Sequence, residues 1–487
     1  MTPSEIRNLF ETALPEGAYA EATLEPGHIY MPSGHYKAIA LDRPLVIGDR
    51  GAGKSFWLRS LVDRRRRELI SHVFGFPSLL SCEVTTGFDP YNSTENYPDA
   101  RQLATLIQSG IEPSDIWHTV IVQAFLPTII PHEVNEWSDK VKWVNKQSGA
   151  VAKQLRDKNS ALAAEGKSLL IAFDGLDLVA KKWKSTIILV RGLLQTQLDF
   201  SKYTHLHTKA FIRPDLFSDP EVRRFPDASK LVSLAVKLEW NAIDLYGLMW
   251  QYLANSSSTA ASKSFRMFCK QIGLFNWSPS EGGLFFLSEE TKHNESIQEA
   301  LFHKLAGATM GGARSGNTWT WLPNHLSDAH GYTSPRSFLV ALRSAAVDSR
   351  TRTFVGTEYA LHTASIKEGV SSASKVRLDE LAENFPWSND IFEPLKRLAL
   401  PARRQEVVSL WEKAHTLATL LSAHNQDTPQ NQVPLPEKIS ASDPGSILLA
   451  LEQLGLCRML DDGRVDFPDI VRVNAGMTRK GGVPVRR

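Results

Sequence analysis

One stretch constrains this chain more than any other: Arg43-Pro44-Leu45-Val46-Ile47-Gly48-Asp49-Arg50-Gly51-Ala52-Gly53-Lys54-Ser55. A short apolar strand enters a glycine-rich turn, and the turn opens a helix. Gly48, Gly53, Lys54 and Ser55 fit G-x-x-x-x-G-K-[ST] without a mismatch. A loop of that spacing turns its backbone N–H groups inward around phosphate oxygens, and glycine permits both the dihedrals and the close approach. The helix that follows adds the positive end of its dipole. Lys54 is the candidate for the β/γ-phosphates and Ser55 for Mg²⁺, with Asp49, Arg50, Gly51, Ala52 and Phe56 completing the candidate binding loop. A glycine turn that binds nothing is the competing reading. The strand before the loop and the amphipathic stretch Ser55–Leu69 after it favour the nucleotide.

At 487 residues the chain is long enough for about three domains. Lys and Arg number 55 against 53 Asp and Glu, so overall charge selects no partner. No apolar run approaches the roughly 20 residues of a membrane span, and Met1-Thr2-Pro3-Ser4-Glu5 does not open a secretory signal. Cys82, Cys269 and Cys457 are odd in number and far apart, which suits thiols of a reducing cytoplasm better than a metal cluster or disulfide framework.

Residues 1–43 read as a lead segment with a short helix at Ile6–Leu14 and a turn at Gly34–Lys37. Residues 44–230 alternate strands and helices, the pattern of a mainly parallel sheet covered on both faces. Strands are expected at Pro44–Ile47, Leu79–Val84, Ser168–Phe173 and Lys209–Ile212. Arg64–Arg67 is expected to end the first helix, either as a solvated terminus or as an anion contact. Leu169–Phe173 is a buried strand that delivers Asp174 opposite Ser55, where a P-loop enzyme holds its Mg²⁺. Asp177 could polarise a water or cap the next helix. No Glu follows Asp174, so slow turnover is expected. Arg213 ends the fourth strand, placed either to sense a γ-phosphate or to bridge Asp215 or Asp174. A helix starting at Asp219-Pro220 would carry Arg223 and Arg224 outward, as surface residues or as a neighbour's arginine finger.

Residues 231–345 read as a helical lid, with a loop at Asn255–Lys263. Ser334-Pro335-Arg336 starts a helix, and a cation in that first turn implies an anionic partner, a nucleotide phosphate or a local Asp. Residues 346–438 read as a helical connector ending in a polar linker from His424. Residues 439–487 combine a helix at Pro444–Leu454 with two strands joined by Asp461-Asp462-Gly463-Arg464, the close of a winged helix with a basic tail. Arg472, Arg479, Lys480, Arg486 and Arg487 make DNA a candidate partner.

Taken together, residues 44–345 resemble the AAA+ superfamily, and within it the branch of STAND and origin-recognition-type ATPases. The likeness rests on Gly48–Ser55 as Walker A, Phe173–Asp177 as Walker B, Arg213 in the sensor 1 position and Ser334–Arg336 as a sensor 2 motif. It implies a P-loop α/β core with a helical lid and winged helix, ATP and Mg²⁺ as cofactors, and a homo-oligomer in which a neighbour supplies an arginine. Gly175 stands where the family usually carries an acid, and Arg213 where Asn or Thr is commoner, as in STAND proteins. The whole is also similar to bacterial ATPases linked to anti-phage defence, which implies that setting and an effector chain as partner. Two functions follow: a nucleotide-gated switch, and a DNA-loading or remodelling motor. An Asn-Lys-x-Asp guanine motif is missing after Asp174, which disfavours a GTPase.

Overall fold

The computed structural model describes residues 1–16, 25–92, 94–273, 277–280, 283–312, 315–352, 358–424, 439–440 and 442–480. Two units emerge: Met31–Glu239, and Met1–Tyr30 together with Trp240–Arg487.

In Met31–Glu239, apolar runs make five strands: β1 (Leu45–Ile47), β2 (Cys82–Phe88), β3 (Ser168–Phe173), β4 (Leu206–Ile212) and β5 (Val236–Lys237). They pair in the order β2-β3-β4-β1-β5, all parallel. Leu45, Val46, Leu170, Ile171 and Phe173 are fully buried, as strands covered on both faces must be. The helices Pro113–Phe125 and Trp183–Phe200 pack closely because Gly192 has no side chain to meet Pro113. Trp117 Nε1 donates across the contact to Leu189 O at 2.8 Å. The consequence for function is that β1, β3 and β4 end side by side, and their carboxyl-terminal loops share one edge.

Several boundaries differ from the sequence reading. Ser55–Leu69 is two helices, Lys54–Val62 and Arg64–Phe74, because Asp63 caps the second through Arg66 N at 2.8 Å. Arg64–Arg67 therefore begins a helix instead of ending one. Arg67 folds back, is buried, and donates to the terminal carbonyls of Leu61 (2.6 Å) and Val62 (3.2 Å). The start of the expected helical lid, residues 231–254, is also divided: helix Ala228–Leu234 is separate from helix Ala242–Ala254. Between them β5 satisfies the open side of β1, with Leu238 N donating to Ile47 O at 2.7 Å.

The second unit is mostly helical. Of the lead segment, residues 31–43 stay with the sheet and residues 1–30 belong here: Ile6, Leu9, Phe10 and Ala13 form a stripe on helix Pro3–Ala13 and join the core around Pro335–Thr351. The expected loop at 255–263 is largely helix Thr259–Gln271. A small hairpin joins β6 (Trp277–Pro279) to β7 (Phe285–Leu287).

Near the end, β8 (Ala399–Leu400), β9 (Ala402–Arg403), β10 (Arg458–Met459), β11 (Arg464–Asp466) and β12 (Thr478–Arg479) appear. The order β10-β11-β9, with helices Ser388–Phe392, Arg404–Lys413 and Ser446–Gln453, is that of a winged helix. Its first strand, β9, lies inside the expected connector; two residues carry no periodic signal. The tail returns to the body as β12, parallel to β8. Most of the expected linker, residues 425–438, and Arg486 and Arg487 lie outside the described residues.

Candidate nucleotide site

The site grows from β1. Gly51 (φ 78°) and Gly53 (φ 104°) take the left-handed conformation that lets the loop turn its N–H groups inward. Gly48 is needed for space: a Cβ would press on Leu238 and on the Lys54 stem. Lys54 Nζ lies back over the loop and donates to Gly48 O at 2.8 Å and Asp49 O at 3.0 Å. Burial pushes its ammonium below the usual lysine range, against the pull of Asp174 and Asp177. Asp49 is exposed, and Arg50 and Phe56 are half-buried, Phe56 edge-on to Trp57. Ala52 is buried.

Strand β3 delivers Asp174, which is 6 % exposed. Ser55 Oγ donates to Asp174 Oδ2 at 2.6 Å. Burial raises the Asp174 carboxyl above its ordinary value, while the Ser55 hydrogen bond and Lys54 oppose the rise. Two oxygens from different elements thus converge beside the loop. Among the described residues, no group of three or more His, Cys, Asp or Glu side chains could hold a metal. A hydroxyl and one carboxylate suit Mg²⁺, which takes its remaining ligands from phosphate and water.

The missing acid after Asp174 has a steric cause. Gly175 has φ 64°, and a Cβ there would run into the Pro90 ring. The next acid, Asp177, is in a short 3₁₀ turn and accepts from Arg213 Nη1 at 3.1 Å. Arg213 also donates to Asp215 at 3.0 and 2.7 Å. Burial works against the charge on Arg213, but Asp215 and Asp177 outweigh it and hold the guanidinium firmly charged. Arg213 thus meets Asp215, as one sequence alternative had it, and reaches Asp177 rather than Asp174.

The remaining arginines are placed differently. Asp219–Arg224 is a turn rather than a helix, since Asp219 Oδ1 accepts from Glu221 N at 2.9 Å. Arg223 lies over the Phe217 ring and donates to Ser218 O, while Arg224 pairs with Glu221 at 2.8 Å. Arg336 does start a helix, but its anionic partner is Glu380 of helix Thr363–Asn384, with Arg377 nearby at 3.8 Å.

Two supporting groups escaped the sequence reading. Lys209 is fully buried in β4 and donates to Ala38 O, Ala40 O and Arg43 O at 2.8, 2.9 and 2.5 Å, tying the approach to β1 against the sheet. A lone lysine inside a buried strand was the available signal. His35 accepts from Trp57 Nε1 at 3.0 Å, bracing the helix that leaves the loop.

The parallel order of the sheet, the glycine loop after β1 and the serine–aspartate contact define an α/β core of P-loop build. No protein-family model and no curated protein matches the chain. Among solved structures it is similar to the Aeropyrum pernix ORC2 protein (ADPNP–ADP complexes), with 14 % identity and TM-score 0.38 over 96 % of this chain and 97 % of that one. It is also similar to the Aeropyrum pernix ORC1 protein in complex with DNA, with 14 % identity and TM-score 0.34 over 97 % of this chain and 91 % of that one. Both likenesses are distant, and the class rests on the sheet and the loop.

Proposed function

We propose that this chain is an AAA+/STAND-type ATPase switch that binds ATP with Mg²⁺ and hydrolyses it slowly, its nucleotide state governing homo-oligomerisation or engagement of a partner chain. The observation that carries this reading is the 2.6 Å contact of Ser55 with Asp174 beside Lys54. Lys54 rests on two backbone carbonyls, acceptors that phosphate oxygens outcompete. Ser55 Oγ and Asp174 Oδ2 would hold Mg²⁺, which supplies charge neutralisation at the phosphates. Arg213 couples the site's two tasks. When its guanidinium turns toward a terminal phosphate, Asp177 loses an ion-pair partner and becomes free to orient a water. With Gly175 barred from carrying a base, Asp177 is the acid left for that role, which suits a slow switch. The anti-phage setting and the arginine finger at Arg223 or Arg224 belong to the same proposal and rest on the sequence resemblance.

The test is the solution mass of the full chain by light scattering, without nucleotide, with ADP and with a non-hydrolysable ATP analogue, alongside Lys54→Ala. A discrete larger species with the analogue alone, absent in the variant, supports the switch. A wild-type chain that binds the analogue but never changes mass overturns the oligomer reading. One that binds no nucleotide overturns the site.

A further inference from the structure

Immediately beyond Asp177, the chain runs from Leu178 to Leu198 without one acidic residue. Four cations lie in that span, and Arg191 alone pairs, with Glu221 at 3.5 Å. Lys181, Lys182 and Lys184 are exposed, and their ammonium groups make no hydrogen bond or ion pair among the described residues. They crowd the start of helix Trp183–Phe200, whose N-cap is Lys182 itself, with no side-chain cap and no acid in the first turn. The helix dipole repels cations there, and among the described residues no acidic side chain pairs with them. Apolar surface lies among them: Leu178 is 45 % exposed, and Trp183 is half-buried against the core. The neighbouring loop adds a third apolar group. Pro90 packs on Gly175, and the next residue, Tyr91, is 71 % exposed, the most exposed large hydrophobic side chain among the described residues.

Unpaired lysine side chains on the segment that follows Gly175, and an exposed tyrosine on the loop that packs on Gly175, match a strand of phosphates whose bases are unstacked. We propose that the Leu178–Lys184 surface, with Tyr91, binds single-stranded nucleic acid, the lysines neutralising backbone phosphates and Tyr91 stacking on a base. The winged helix is a poorer candidate. Its third helix, Ser446–Gln453, contains no Lys or Arg, and Arg458 and Arg464 of its hairpin pair with Asp466 and Asp462.

The proposal stands apart from the nucleotide reading, because none of these side chains contacts Lys54, Ser55 or Asp174 in the hydrogen bonds above. It is tested on the full chain with a fluorescein-labelled DNA single strand of about 30 nucleotides, longer than the ~4–16-nucleotide sites of comparable surfaces. Anisotropy is followed as salt is raised. Replacing Lys181, Lys182 and Lys184 together by Gln should weaken binding about tenfold or more and flatten the log–log salt slope by about 2, at ~0.7 per phosphate contact. Tyr91→Ala should cost about fivefold or more, the lower end of one lost stacking contact. Affinity for a fluorescent ATP analogue should not move in either variant, which separates failure here from failure of the nucleotide site. A control with Lys146, Lys153 and Arg156 changed to Gln removes equal charge from other helices and should bind as wild type. The proposal falls if the wild type does not bind at low salt, or if the control loses as much as the lysine variant. It falls equally if a duplex competes better than the single strand, or if polyglutamate competes as well.

Discussion

The nucleotide loop and the winged helix are both rich in charge, yet they use it in opposite ways. At the edge of the parallel sheet, charged groups rest on partners they can exchange. Lys54 sits on two carbonyls, Ser55 on Asp174, and Arg213 is divided between Asp177 and Asp215. Around Asp466 and Asp469 of the winged helix the charges are consumed. Asp466 takes Arg458 at 2.9 Å and Arg479 at 3.3 Å, while Asp469 takes Arg472 at 2.8 Å and Arg479 at 3.3 Å. Both aspartates are buried, and Arg479 is 11 % exposed. Arg472 and Arg479 of the basic tail therefore form a clamp that fastens β12. A basic stretch reads the same in sequence whether its charges are spent or available. Only the placement of the acids decides.

If the loop's charges are the exchangeable ones, the largest effects belong there. Lys54→Ala and Asp174→Asn should each lower ATP turnover about 10²–10³-fold, the usual cost of one preorganised electrostatic contact. Asp174→Asn carries a second, opposite expectation. Burial raises the Asp174 pKa, so the folded state prefers the neutral carboxyl, and at neutral pH the ionised form costs stability. The amide should raise the nucleotide-free urea midpoint by the equivalent of roughly 0.5–2 kcal/mol. An unchanged turnover would remove the site, and a lower midpoint would show that the Ser55 contact outweighs the burial.

The converse holds for the clamp. Arg479→Met leaves Asp466 and Asp469 with one arginine each and should cost about 1–3 kcal/mol in urea unfolding, the penalty for buried acceptors losing a donor. ATP turnover should hold. If stability does not change, the clamp is not one, and the tail returns as a candidate for phosphate contact.

A smaller effect tests the brace behind the loop. His35 accepts a hydrogen bond from Trp57, so it is neutral in the fold, and burial pushes its pKa down to about 3. The unfolded chain takes up that proton first as pH falls below about 6.5. Stability from this group is thus present above that pH. It is lost at up to about 1.4 kcal/mol per pH unit on going lower. His35→Phe should flatten the dependence of the urea midpoint between pH 7 and 5. A variant that keeps the full dependence would place the titration elsewhere.

What could be read in advance follows the same division. The loop was legible because G-x-x-x-x-G-K-S fixes backbone and chemistry within eight residues, and Asp174 because a buried strand delivers it. Arg213 was legible as the residue that ends β4, and Asp215 as a partner for it, but Asp177 was not, since it meets Arg213 only through strand order. Gly175 showed that an acid was missing, while the reason lay in Pro90, 85 positions earlier. Strand β5 and the first wing strand β9 were invisible, because two-residue strands exist through their neighbours' unpaired backbone groups rather than through any pattern of their own. Helix Pro3–Ala13 was legible as a helix, but its apolar stripe could not say which core would bury it.

The least effect is expected where the two modes meet, at the tip of the wing. Arg464 is exposed and pairs with Asp462 two residues away, at 2.6 Å. A solvated pair of this kind contributes little to stability, so Arg464→Gln should leave Tm unchanged. The informative readout is nucleic-acid binding. An exposed guanidinium can leave a neighbouring carboxylate for a phosphate at small cost, so an internal partner does not by itself bar the wing from DNA. The company there is thin: Ser446–Gln453 offers no cation and Arg458 is committed to buried Asp466, which leaves Arg403, opposite Arg464 on β9, as the neighbouring cation. One or two contacts at the tip should leave the salt slope well short of the change expected for the three lysines. If Arg464→Gln instead weakens duplex binding across sequences and lowers the slope by about 1, the wing does read phosphates, and its charges belong with the exchangeable ones of the loop.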